Sequence, residues 1–178
     1  MKVFDIETLG VFPLEKEKNT EERVIKSNKI IAISLLDIDS DIPISFYGED
    51  EKEILEQFWN AIKNEKTLVG FNCISFDISF ILVRSLLNGV KISENFKNLK
   101  IVDLRKIIYP YNDFGVGGLR DFCDYLSIPY TSKNGSEMLE LYKNKDWEEI
   151  KKHSEEDVKI TKALYQKCIE CNMIKEEN

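Results

Sequence analysis

Val3-Phe4-Asp5-Ile6-Glu7-Thr8 sets two carboxylates in alternation with apolar residues. In an extended chain alternate side chains share a face, so Asp5 and Glu7 project together while Phe4 and Ile6 turn to the other side. The stretch reads as a buried strand with an acidic edge. Two like charges about 4 Å apart at an effective dielectric near 20 repel by on the order of 4 kcal/mol, and a divalent cation is the usual means of offsetting that repulsion. Taken alone, the six residues leave two readings open: a cation site, or a strand end whose acids face water.

The chain around this strand has 178 residues, 43% hydrophobic and 32% charged, which predicts one soluble, well-cored domain over residues 1–178. Its net charge of -7 argues against a broad basic footprint on long duplex nucleic acid. A narrow strand-binding groove stays open, because cations held by acids can present positive charge to phosphate. No apolar run is long enough to span a bilayer and the N-terminus lacks a secretory signature, so the expectation is a cytoplasmic protein without membrane partners. Cys73, Cys123, Cys168 and Cys171 are too few and too scattered for a disulfide framework. Cys168 and Cys171 form a C-x-x-C with no second pair, read as thiols on an ordinary helix.

From Leu9 to Asn28 the pattern loses periodicity and reads as a long loop, either flanking a groove or simply flexible. Lys29–Asp37 and Ile42–Tyr47 are β-branched runs, giving with the first strand a meander. Asp50-x-x-Glu53 reads as a capping box ahead of a helix with Ile54, Leu55, Phe58, Trp59 and Ile62 at helical spacing. Thr67–Asn72 is a short buried strand, Ile74–Leu87 a turn and apolar helix with Asp77 near its start, and Lys100–Leu104 another strand. A carboxylate at a helix start is either a partner of the dipole or, wedged between Phe76 and Ile78, a buried group that needs a partner. Gly115, Gly117 and Gly118 mark a turn, not a dinucleotide fingerprint, before a helix at Leu119–Leu126. After a break at Pro129–Gly135, Ser136–Tyr142 and a long amphipathic helix from Trp147 to about Cys171 complete the chain, the latter with Ile150, Val158, Ile160, Leu164 and Ile169 as its buried face. Strands alternating with helices after a meander predict an α/β layered domain with a mixed sheet.

On the last helix His153, the sole histidine, lies four residues before Asp157 and shares its face. Asp5-Ile6-Glu7-Thr8, then Gly70-Phe71-Asn72-x-x-x-Phe76-Asp77, then His153-x-x-x-Asp157 resemble, in order, the three motifs of the DEDD superfamily of 3′-5′ exonucleases. The match covers nearly the whole chain and is most similar to stand-alone relatives of the proofreading domain of B-family DNA polymerases. In one branch of the superfamily a tyrosine stands four residues before the last aspartate, in the other a histidine stands five before it. Here histidine takes the tyrosine's position and Lys152 the five-residue one.

The resemblance implies a ribonuclease-H-like fold: a mixed five-stranded sheet with an N-terminal antiparallel meander, flanked by helices. It implies that Asp5, Glu7, Asp77 and Asp157 hold two Mg²⁺ or Mn²⁺ ions for phosphodiester hydrolysis at the 3′ end of single-stranded DNA or RNA. His153 would orient or deprotonate the attacking water. Thr8 and Leu9 would lie near the terminal nucleotide and Asn72 and Phe76 beside the penultimate one, with core packing as the alternative for Phe76. Asp103 either supports the site or ends its strand, and Arg84 and Arg120 are candidate phosphate contacts. An endonuclease of the same fold and a catalytically silent binding subunit are the rival expectations, and no protein partner is readable.

Overall fold

The structure is a computed structural model that describes residues 1–10, 28–112, 115–131 and 137–175. Most of the Leu9–Asn28 loop and part of the 129–135 break lie outside the described residues. Strands β1 (Lys2–Leu9), β2 (Lys29–Asp37) and β3 (Ile44–Tyr47) precede helix α1 (Glu51–Ala61). Then come β4 (Thr67–Gly70), α2 (Asp77–Leu87), a 3₁₀ turn (Glu94–Asn98), β5 (Lys100–Asp103), α3 (Leu104–Ile108), α4 (Leu119–Leu126), α5 (Met138–Lys143) and α6 (Trp147–Glu170). The five strands form one sheet in the order β3-β2-β1-β4-β5. β1, β2 and β3 pair antiparallel as the expected meander, while β4 and β5 run parallel to β1.

The period of two sorts the sheet's side chains between two layers. Phe4 and Ile6 of β1 join Ile33 and Leu35 of β2, Leu55 and Phe58 of α1 and Phe80 and Ile81 of α2 in one core. Val3, Leu36 and Val69 turn the other way and meet Val158, Leu164 and Tyr165 of α6 with Cys123 of α4. Asp5 and Glu7 therefore point toward α6. The neighbouring strand β2 is bulged at this point: Glu7 faces Ala32 but Thr8 faces Ile30, so Ile31 is the extra residue on β2. The slip lets Ile31 and Ala32 share one core with Leu9, Met138 and Ile150, while Ile30 returns to the α1 side.

Polar contacts fix how α6 lies on the sheet. Ser154 donates to Ser34 at 2.8 Å, Ser34 and Ser45 are 2.8 Å apart, and Ser45 donates to Glu155 at 3.1 Å. On the other layer Glu51 is buried at the start of α1, where it accepts from the Ile30 amide at 2.7 Å and from Arg84 through both carboxylate oxygens at 2.8 and 2.6 Å. Arg84 is thus a structural ion pair between α1 and α2, not a candidate phosphate contact. Asp50 caps α1 by accepting from the Lys52 and Glu53 amides, the first half of the expected box.

Three boundaries differ from the sequence reading for local reasons. β3 starts at Ile44, directly after Pro43, which has no amide to give a ladder. β4 stops at Gly70 because Asn72 takes a left-handed backbone with φ 58°. Asp103 ends β5 by capping the short helix α3, which the sequence reading missed. No helix among the described residues is long and apolar enough to cross a membrane.

Candidate active site

The parallel register creates the site. Lys2 and Val3 of β1 pair with Leu68 and Val69, so β1 runs on beyond the end of β4 and carries Asp5 and Glu7 past it. Ligand sites of parallel sheets form at such carboxyl ends. The 71–76 turn folds back into the space beside β1 and delivers Asp77 as the first residue of α2, where its carboxylate accepts from its own amide and from that of Ile6. Gly70 permits the tight return: a Cβ there would lie 2.6 Å from the Cys73 Cβ and 3.2 Å from the Phe4 ring.

Asp103 holds this turn. One carboxylate oxygen accepts from the Asn72 amide at 2.9 Å and the Arg105 amide at 3.0 Å, and the other from the Ile74 amide at 3.0 Å. Buried at the end of β5, it clamps the turn ahead of Asp77 while capping α3.

From the other layer α6 presents His153 and Asp157 on its buried stripe, among Ile150, Ser154, Val158 and Thr161. Lys152, at the alternative histidine position of the superfamily, is 66% exposed and pairs with Glu149 instead. His153 Nδ1 lies 2.7 Å from Glu7 Oε1 and 3.9 Å from Asp157 Oδ2. Arg120 of α4 closes the group, with Nη2 2.8 Å from Asp157 Oδ1 and 3.3 Å from His153 Nε2. A guanidinium can only donate, so at that contact Nε2 accepts, and the ring's proton sits on Nδ1 and is given to Glu7.

Electrostatics report the crowding of acids. Burial holds the Asp5 carboxyl well above its ordinary value, and Asp157, Asp77 and Glu7 push it the same way against Arg120. Burial raises Asp77 to about 8, opposed by its amide hydrogen bonds and reinforced by Asp103 and Glu7. Asp157 stands at about 6, through burial and Glu7, with His153 and Arg120 lowering it. Carboxylates so placed either keep their protons or are held ionised by a cation. Glu7, His153 and Asp157 each offer a ligand atom within 4.8 Å of the others. This oxygen-rich set fits a hard ion such as Mg²⁺ or Mn²⁺.

The five candidate catalytic residues, Asp5, Glu7, Asp77, His153 and Asp157, thus lie close enough to interact with one another at one end of the sheet. The four substrate-contact candidates divide. Thr8 is half-buried and its hydroxyl donates to the Gly10 carbonyl at 2.7 Å. Leu9 buries its side chain against Met138 and Ile150. Asn72 lies in the left-handed turn, half-buried. Phe76 packs on the α1 core with its ring 5.4 Å from that of Phe80. Arg120 carried no signal in sequence beyond its charge, because nothing local states which carboxylate it meets.

A family described as "predicted 3′-5′ exonuclease related to the exonuclease domain of PolB" matches residues 23–177. That span contains Asp77, His153 and Asp157 and begins after the strand with Asp5 and Glu7. An uncharacterized protein of Methanocaldococcus jannaschii is 32% identical over 192 residues, covering 98% of each chain. The solved family B DNA polymerase from the hyperthermophilic archaeon Pyrobaculum calidifontis shares the fold with a TM-score of 0.73 at 17% identity, over 97% of this chain and 25% of the polymerase. The chain therefore spans about a quarter of that polymerase, and what the two share is the fold, a mixed five-stranded sheet with flanking helices of the ribonuclease-H-like class.

Proposed function

The chain belongs to the family of predicted 3′-5′ exonucleases related to the exonuclease domain of PolB, and we propose that it is a metal-dependent 3′-5′ exonuclease that hydrolyses phosphodiester bonds at single-stranded 3′ ends, DNA ahead of RNA. The observation that carries the reading is the meeting of Asp5 and Glu7 from β1, Asp77 from α2 and Asp157 from α6 at one end of the sheet. In this reading those four carboxylates hold two Mg²⁺ or Mn²⁺ ions. Such ions would neutralise the acids, acidify the attacking water and stabilise charge on the leaving oxygen.

The remaining steps belong to the chain's own residues. Glu7 accepts from His153 Nδ1 and so fixes the ring with Nε2 as the unprotonated nitrogen, able to take a proton from water. Asp103 keeps the 72–74 turn in place and with it Asp77. Thr8, Asn72, the ring of Phe76 and the backbone of Leu9 border the place where the last two nucleotides would lie. The likeness to a DNA polymerase favours DNA.

End-labelled DNA and RNA oligonucleotides incubated with Mg²⁺, Mn²⁺ or chelator test the proposal. A ladder that shortens from the 3′ end and vanishes with chelator is expected. Internal fragments would assign an endonuclease, and intact strands that remain bound would assign a silent binding subunit.

A further inference from the structure

Arg120 holds two site groups at once: the Asp157 oxygen Oδ1 at 2.8 Å and the His153 nitrogen Nε2 at 3.3 Å. The first belongs to a carboxylate that offers a ligand oxygen to a divalent ion, and the second is the atom that a water would protonate. Its position runs against local electrostatics, since a cation in the first turn of a helix is opposed by the helix dipole. The side chain is held instead by tertiary partners: the acid and imidazole on one side and the Tyr130 ring on the other, 5.8 Å from the guanidinium carbon. α4 enters directly from Gly117-Gly118, with Asp121 accepting from the Gly118 amide at 2.6 Å, so the first turn that carries Arg120 is itself fixed. The side chain keeps 17% of its surface toward solvent.

We infer that Arg120 is a positioning residue that works as a latch: it occupies Asp157 and His153 until ion and strand bind, then transfers its guanidinium to a phosphate oxygen of the strand. The inference rests on the exonuclease reading. Guanidinium and divalent ion compete for the same carboxylate, so one displacement frees a ligand oxygen and the proton acceptor together. A planar fork serves both partners, carboxylate before and phosphate after, which a lysine ammonium does not. The consequence is ordered readiness: His153 Nε2 is exposed to water only when ion and strand are in place.

The test uses the whole chain as wild type, Arg120→Met, Arg120→Lys and Lys152→Met, the last removing an equal charge next to His153 that touches none of the cluster. Mn²⁺ affinity is measured by calorimetry without nucleic acid, and binding of a labelled single strand by anisotropy in Ca²⁺ at several salt concentrations. Arg120→Met is expected to bind Mn²⁺ about tenfold more tightly, the scale of one charge-assisted hydrogen bond, with Lys152→Met within about twofold of wild type. Strand binding by Arg120→Met should weaken, with a salt slope smaller by about 0.7, as for one lost phosphate contact. Should Arg120→Met fail to fold, Arg120→Lys decides: it keeps the charge without the fork and is expected to bind Mn²⁺ about threefold more tightly than wild type. An Arg120 variant that binds Mn²⁺ no more tightly than Lys152→Met, or that binds the strand as wild type does, overturns the latch. Strand shortening by wild type is scored separately. Its absence together with the expected Arg120 shifts removes the exonuclease reading and leaves the Asp157 and His153 competition standing.

Discussion

His153 is held between an acceptor, Glu7 at 2.7 Å, and a donor, Arg120 at 3.3 Å, and the two contacts together define its tautomer. In the proposed reaction Nε2, once Arg120 has released it, accepts a proton from water, and general-base catalysis of that kind contributes about 10²- to 10⁴-fold. His153→Phe is therefore expected to lower turnover by about 10²-fold or more. Mn²⁺ affinity, read by calorimetry, should change little. A matching loss of ion affinity would make His153 a ligand alongside Glu7 and Asp157, a role their mutual spacing within 4.8 Å also permits. The same spacing explains why the branch signature of the superfamily is blurred here. Four residues along a helix return to the same face, so His153 and Asp157 both face β1, whereas Lys152 one position earlier turns to solvent.

At the scale of elements the site depends on joints that hold no substrate themselves. Asp103 ties the end of β5, the start of α3 and the turn before Asp77 into one unit. Asp103→Ala leaves several buried amides without an acceptor and removes a cap, which should cost about 3 kcal/mol in urea unfolding. Turnover per folded molecule should fall with it, because Asp77 loses its support. Arg84→Ala is the contrasting case. It strands the buried Glu51 carboxylate and should cost about 3 kcal/mol, yet leave turnover of the folded fraction unchanged, since the pair joins α1 and α2 away from the acids. A fall in strand affinity in that variant would return Arg84 to the groove. These joints were only partly readable in advance. An acid at the end of a strand announces itself, and Asp5, Glu7, Asp77 and Asp157 all stand out in apolar or helical patterns. The β2 bulge did not, because Ile30-Ile31-Ala32-Ile33 is apolar throughout and a slip of phase leaves no mark in such a run. α3 was hidden for a related reason, being a single capped turn too short for periodicity.

For the molecule as a whole, the cluster of acids sets how stability follows pH. Burial and mutual repulsion raise Asp5, Asp77 and Asp157, with Asp77 at about 8 and Asp157 at about 6. The folded protein then binds protons more tightly at these sites than the unfolded chain does, so stability falls as pH rises from the ordinary carboxylate range through about 6 and about 8. In chelator the melting temperature is expected to be higher near pH 5.5 than near pH 8.5, and Asp77→Asn should flatten the slope. Mn²⁺ should stabilise most at the alkaline end, where its ligands have shed their protons. A melting temperature that climbs with pH in chelator would contradict the charge assignment. The overall layering was legible from strand and helix periodicity, but the pairing of Arg84 with Glu51 and of Arg120 with Asp157 was not, because long side chains choose partners only once the layers have docked. The hydrogen bond from His153 to Glu7 spans 146 residues of chain. Synthesis proceeds from the N-terminus, so a growing polypeptide emerges from the ribosome with β1 and its acids long before α6 can cover them. The proposed site is thereby incomplete until α6 has been made and has docked on the sheet.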